Sequence, residues 1–201
     1  MKKTTGILMS AALMISMAAC GNAAAPEGPA GAEPAQTKAA APKKILVAYY
    51  SYSGNTQAVA QQIAKATGGT LFEITTDHQY PEAYNAMTAQ AKKEIQAGFK
   101  PELTSKPENW ADYDMVFVGS PNWWGTYAPA VSAFLAAYDF KGKTVVPFFT
   151  HGGGGMQNCE RDMKKQLAGV TFGTAMTFPG RSSGANEKTL AAWLTQLGAA
   201  K

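Results

Sequence analysis

What most constrains this chain is an alternation between unbroken apolar runs and segments whose apolar residues recur at helical spacing. Ile45-Leu-Val-Ala-Tyr-Tyr50, Met115-Val-Phe-Val118 and Val145 to Phe149 are continuous apolar runs. That is the pattern of strands covered on both faces. Leu71-Phe-Glu-Ile74 is short and carries a charge, and Val170 to Phe178 alternates in polarity. These two read as less covered, hence peripheral. Pro147 falls inside the fourth run, where a missing amide predicts a bulge or an irregular strand end. Between the runs, Val59 and Ile63 share a helical face that stops at Gly68-Gly69. Tyr84, Met87, Ala91 and Ile95 repeat the spacing before Gly98. Pro129 suits a first helical turn, with Val131, Phe134, Leu135 and Tyr138 behind it. Cys159, Met163 and Leu167 line a fourth helix, and Leu190, Trp193, Leu194 and Leu197 a last one. Strand and helix in strict alternation predict an α/β, three-layer, doubly wound, five-stranded parallel sheet.

The alternation begins only near Lys44. Upstream, Lys2 and Lys3 precede an apolar run of 13 residues, Ile7 to Ala19. That is short of the roughly 20 needed to span a bilayer, so residues 1–19 read as a secretory leader. The run ends in Met17-Ala-Ala-Cys20, which resembles a bacterial lipobox and makes Cys20 the expected lipidation site. Ordinary cleavage near Ala23-Ala24-Ala25 is the alternative. Sixteen of the 23 residues from 21 to 43 are Ala, Pro or Gly. Such a stretch buries too little surface to offset its ordering entropy. Residues 20–43 therefore read as lipidated cysteine and tether, and 44–201 as one folded domain. The expected location is the cell envelope, outside the cytoplasm, with the membrane as a partner through Cys20. The formal charge of +4 includes Lys2 and Lys3 of the leader. What remains is too weak and too scattered for a nucleic-acid surface. Two cysteines exclude a disulfide scaffold.

Three loops fall at the carboxyl ends of the central strands, where open α/β sheets bind ligands. The first, Ser51-Tyr52-Ser53-Gly54-Asn55-Thr56, offers hydroxyls, a glycine and a helix amino terminus. Free N–H groups and the helix dipole make such a turn an anion site. It lacks the Gly-Lys-Ser/Thr of a nucleoside-triphosphate loop and the Gly-x-Gly-x-x-Gly of a dinucleotide fold, and suits one terminal phosphate. Alternatively it is a plain capped turn, with Ser53, Asn55 or Thr56 as the cap. The second, Gly119-Ser-Pro121-Asn122-Trp123-Trp124-Gly125-Thr-Tyr127, holds three aromatics in five positions. They suit stacking on a flat ring, or else a hydrophobic lid or partner surface. The third is Thr150-His151-Gly152-Gly153-Gly154-Gly155. Four consecutive glycines are accounted for by close approach of main-chain amides to a ligand, or by a plain hinge.

Together these three loops resemble the flavodoxin family, and more closely its bacterial flavodoxin-like branch, over residues 44 to 198. The resemblance implies strand order 2-1-3-4-5 and non-covalent FMN. Ser51, Ser53, Asn55 and Thr56, with the amides of Tyr52 and Gly54, would hold the phosphate. Trp123, Trp124 or Tyr127 would stack on the isoalloxazine. The backbone from Gly152 through Gly155 would face its pyrimidine edge and N5, with Pro121, Asn122, Gly125, Thr150 and His151 completing the set. The expected function is an FMN-dependent oxidoreductase at the envelope, reducing quinones or exchanging electrons with a redox partner protein. A pure electron carrier and a flavin-free partner-binding module are the alternatives. From Lys44 onward the chain has 14 basic and 12 acidic residues, unlike the strongly acidic shuttles of the family.

Elsewhere, His78 reads as solvated, Cys159 as a small buried hydrophobe, and Arg181 as a surface residue or an anion contact. No His, Cys, Asp or Glu group has metal-ligand spacing, and no Gly-x-Ser-x-Gly elbow marks a hydrolase.

Overall fold

The computed structural model describes residues 43–180 and 185–201. The leader, Cys20, the tether up to residue 42 and Arg181 lie outside them. The first strand, β1 (Ile45–Tyr49), leads into α1 (Asn55–Thr67) and then β2 (Thr70–Glu73). A long connection carries α2 (Tyr84–Ala97) and a short 3-10 turn at Trp110–Asp112. Then come β3 (Met115–Trp123), β4 (Thr126–Tyr127), α3 (Pro129–Ala137) and β5 (Thr144–His151). The chain ends with α4 (Cys159–Gln166), β6 (Thr171–Phe172), β7 (Met176–Pro179) and α5 (Glu187–Gln196).

The sheet runs β2-β1-β3-β5-β6, and its pairs along this path are parallel. With β6 and β7 as two pieces of the fifth strand, this is the expected order 2-1-3-4-5. Side chains alternate across β1. Val47 and Tyr49 meet Val59, Ile63, Phe117, Phe148, Trp193 and Leu194 on one face, under α1 and α5. Leu46 and Ala48 meet Val116, Val118, Phe134, Phe149 and Met163 on the other, under α3 and α4. Both faces of the central strands are therefore covered, which is why their runs are unbroken.

Pro147 does not bulge its own strand. β5 is continuous through it, with Pro147 in register with Val118. The irregularity lies in the neighbour. The Gly173 amide donates to the Val145 carbonyl at 2.9 Å, so Val145 faces the fifth strand, and so does Pro147 two residues on. There the fifth strand is interrupted, between Phe172 and Met176. A strand cannot take a ladder bond from a nitrogen without hydrogen, so the partner breaks instead.

One helical reading needs correction and another holds. Tyr84 opens α2 but is 72% exposed, and the helix buries Met87 and Ala91 instead. Cys159 is fully buried on α4 beside Met163, and burial pushes its thiol up to about 12. In a Cys20→Ser chain at pH 8, a disulfide reagent should label Cys159 at least a hundredfold more slowly in the native state than in urea, because only the thiolate reacts. Comparable rates would show that α4 opens readily.

Candidate functional site

All three loops converge at the carboxyl edge of β1, β3 and β5. α1 starts in an unusual way. Gly54 precedes it with φ 82°, a left-handed conformation, and no side chain caps the helix. Ser53, Asn55 and Thr56 are thus not the caps a plain turn would use. The Asn55 side-chain amide donates to the Ser53 hydroxyl at 2.9 Å instead. The first intrahelical bond runs from the Ala58 amide to the Gly54 carbonyl, 3.0 Å. The amides before it keep the unpartnered donors that any helix amino end presents. Next to them the Ser51 hydroxyl oxygen is buried with no hydrogen-bond partner. A buried hydroxyl without a partner is costly unless a ligand completes it. An orphan hydroxyl beside an uncapped helix start fits a phosphate.

Thr56 and Thr150 are both buried, and their hydroxyls lie 2.8 Å apart, tying the first loop to the end of β5. The Gly180 amide donates to the His151 carbonyl at 2.8 Å, bringing the end of β7 to the same place. A Cβ on Gly180 would sit 3.2 Å from the Asn55 side chain.

The second loop is a hairpin rather than an open loop. β3 continues through Pro121 and Asn122 to Trp123, and Trp123 pairs with Thr126 of β4. Trp124 (φ 52°) and Gly125 (φ 86°) form the two-residue turn. Both central residues of a type I′ turn need positive φ, so Gly125 fits and Trp124 is held against its preference. Two bonds hold it there. The Trp124 indole N–H donates to the Thr88 carbonyl at 2.9 Å, and the Gly125 amide donates to the Asn122 side chain at 3.0 Å. The three aromatics separate. Trp124 is 56% exposed, with the Lys92 ammonium 4.7 Å from its ring centre. Trp123 is half-buried among Tyr50, Tyr52 and Tyr80, with ring centres 5.8, 6.0 and 5.0 Å away. Tyr127 does not join them. It is buried in the core, and its hydroxyl donates to the Gln166 side chain at 2.7 Å. Burial drives the Tyr127 hydroxyl far above its ordinary range.

The glycine loop closes the site. Gly153 (φ 131°) and Gly155 (φ 68°) adopt conformations that side chains disfavour. The Asn122 amide donates to the Gly155 carbonyl at 2.7 Å, joining hairpin and loop. The Gly153 amide donates to His151 Nδ1 at 3.0 Å, so neutral His151 carries its proton on Nε2. Asn122, Trp124, Gly125, His151, Gly152, Gly154 and Gln157 line a cavity of about 440 Å³. Gln157 escaped the sequence reading. Its positive φ of 48° gives no sequence signal, yet its side chain lies beside Gly125 and Gly154. A larger hollow of about 590 Å³ lies at the opposite end of the sheet, between Lys43, Lys44, Asp112 and Lys201. The three loops do not border it; the smaller cavity lies between two of them, the hairpin and the glycine loop, and is the stronger candidate. Among the described residues no acidic, His or Cys group could hold a metal ion.

His78 is not solvated as expected. Its Nε2 lies 2.8 Å from the Glu94 carboxylate, and its ring packs on Tyr80 and Phe99.

With this geometry in view, known proteins give a consistent answer. The family model described as Flavodoxin matches residues 44–197. The chain belongs to the flavodoxin family. A protein from Bacteroides eggerthii described as a flavoprotein is 32% identical, with a TM-score of 0.68, covering 78% of this chain and 98% of that one. The flavoprotein of Lactobacillus acidophilus, solved in complex with FMN, shares the fold at 22% identity and a TM-score of 0.63, over 75% of this chain and 98% of that one. A curated relative, the NAD(P)H dehydrogenase (quinone) of Cupriavidus metallidurans, is 34% identical over 95 residues. That match spans 46% of this chain and 45% of the relative, so the two correspond over about half their lengths.

Proposed function

We propose that this chain is an FMN-dependent oxidoreductase that reduces quinones or similar flat acceptors, held at the cell envelope by lipidated Cys20. The observation that carries it is the uncapped, left-handed start of α1 beside the unpartnered Ser51 hydroxyl. That site fits one phosphate dianion, and the turn lacks the Gly-x-Gly-x-x-Gly that cradles a pyrophosphate. Ser51, Ser53, Asn55 and Thr56 hold the phosphate, and Trp124 and the glycine loop wall the ring. Bound FMN supplies the electron chemistry; the protein supplies binding and surroundings. The likeness to a quinone-reducing dehydrogenase over 95 residues supports the acceptor class. The quinone gains two electrons and two protons, and a nicotinamide donor supplies the electrons.

The test begins with the visible absorption spectrum of the purified chain after addition of FMN. Bound flavin should show a structured, shifted band. Steady-state quinone reduction by NAD(P)H should follow, and should be lost on removal of the flavin. Flavin binding without turnover would leave an electron carrier. A protein that stays colourless would overturn the reading.

A further inference from the structure

The densest cluster of titratable side chains outside the three loops lies between α2 and the segment that precedes it. The Glu94 carboxylate is its hub. One oxygen accepts from the Gln90 side chain at 2.8 Å and lies 2.8 Å from His78 Nε2. The other accepts from the Tyr80 hydroxyl at 2.5 Å. Gln90 also approaches His78 Nε2, at 3.0 Å. The rings are held as tightly. His78 packs edge-on against Tyr80 and against Phe99, with 5.0 Å between centres in each case. Tyr80 stands nearly perpendicular to Trp123, at 5.0 Å and 83°. Tyr52, from the phosphate-binding turn, touches Tyr80 at 6.3 Å and Trp123 at 6.0 Å, and its hydroxyl donates to the Pro81 carbonyl at 2.8 Å.

Residues 77–83 form no strand or helix of their own. An irregular segment is ordered by the bonds it makes to its neighbours, and here two of its rings converge on one carboxylate. Edge-to-face packing is directional, so fixing Tyr80 fixes the ring it meets. Resting on the FMN reading, we propose that Glu94 is a positioning residue for the cofactor site. It ties Tyr80 in place, and through Tyr80 it holds together Trp123 of the hairpin and Tyr52 of the phosphate turn. Burial keeps the Tyr80 hydroxyl protonated, with the hydrogen bond to Glu94 adding to the effect. Tyr80 therefore remains a donor across any working pH. Trp123 precedes the wall residue Trp124 in the hairpin and Tyr52 lies in the phosphate turn, so both flanks of the site are ordered before the ligand arrives, which raises affinity.

Glu94→Ala, Glu94→Gln and Tyr80→Phe separate position from plain folding. The readouts are the FMN dissociation constant, by flavin-fluorescence quenching, and the near-ultraviolet circular dichroism of the flavin-free chain. Glu94→Ala should weaken FMN five- to tenfold and flatten the tryptophan bands. Glu94→Gln should bind within twofold of wild type, because its amide still accepts from Tyr80 and donates to His78. Tyr80→Phe keeps the ring but loses the tie, and should weaken FMN threefold or more. Wild-type affinity in Glu94→Ala, or equal loss in Glu94→Ala and Glu94→Gln, overturns the assignment. If Glu94→Ala does not fold, wild-type affinity in Tyr80→Phe overturns it. Should the wild-type chain bind no FMN, the cofactor reading fails. The dichroism then still decides the inference: bands lost in Glu94→Ala and regained in Glu94→Gln support it, and bands unchanged in Glu94→Ala refute it.

Discussion

Replacing Thr56 by alanine should weaken FMN binding about thirtyfold. Hydrogen bonds to a charged group contribute about 2 kcal/mol, and each 1.4 kcal/mol is a factor of ten. Thr56 is suited to the task because its hydroxyl is buried and already aimed, 2.8 Å from that of Thr150. One proton of the pair joins the two oxygens, which leaves the other free for a phosphate oxygen. Alanine also strands the Thr150 hydroxyl, so the flavin-free domain should lose about 1 kcal/mol of stability. Thr56→Ala with Thr150→Val should recover that stability while leaving FMN weak. Thr56→Ser should bind within a few-fold of wild type. Titrations of the four chains with FMN, beside urea melts without it, test both parts. Undiminished affinity in Thr56→Ala would move the phosphate elsewhere.

The second large effect concerns the core beneath the site. Gly119 of β3 pairs with Phe148 of β5, and a Cβ at Gly119 would overlap the Phe148 ring. Phe148 is fully buried and its strand is paired on both sides, so neither ring nor backbone has room to yield. Overpacking of this kind costs roughly 1–3 kcal/mol. At about 2–4 °C per kcal/mol for a domain of this size, Gly119→Ala should melt roughly 2–12 °C lower. Adding Phe148→Leu should restore part of the loss. A melting temperature unchanged by Gly119→Ala would mean that β3 and β5 can separate, and the cofactor loops above them would then not be rigidly spaced.

Much of the architecture could be read from the chain because it rests on local rules. The unbroken runs of β1, β3 and β5 reflect cover on both faces, and the edge position of β2 follows from the charge at Glu73. Pro147 announced an irregularity, but only the paired structure shows that the neighbouring strand absorbs it. The phosphate turn was legible as an anion site against a capped turn. What favours the anion site is the φ of Gly54 and the orphaned Ser51 hydroxyl, which no sequence pattern encodes. The aromatic loop was legible in kind but not in assignment. Only pairing of Trp123 with Thr126 sends Tyr127 inward and leaves Trp124 at the cavity. The Glu94 hub was invisible, because its members come from an irregular segment and from α2, brought together by folding.

The course of β1 settles how this domain can be handled. It starts at Ile45 and delivers the chain to the cofactor loops five residues later, about 17 Å away along the strand. The Lys201 amide donates to the Ala66 carbonyl at 3.3 Å, and Lys201 lines the same hollow as Lys43, at the far end of the sheet. Residues 43 and 201 therefore share one pole, and the three loops proposed to hold the flavin lie at the other. A reporter, an electrode linker or a fusion joined at either position leaves the redox face open to incoming molecules.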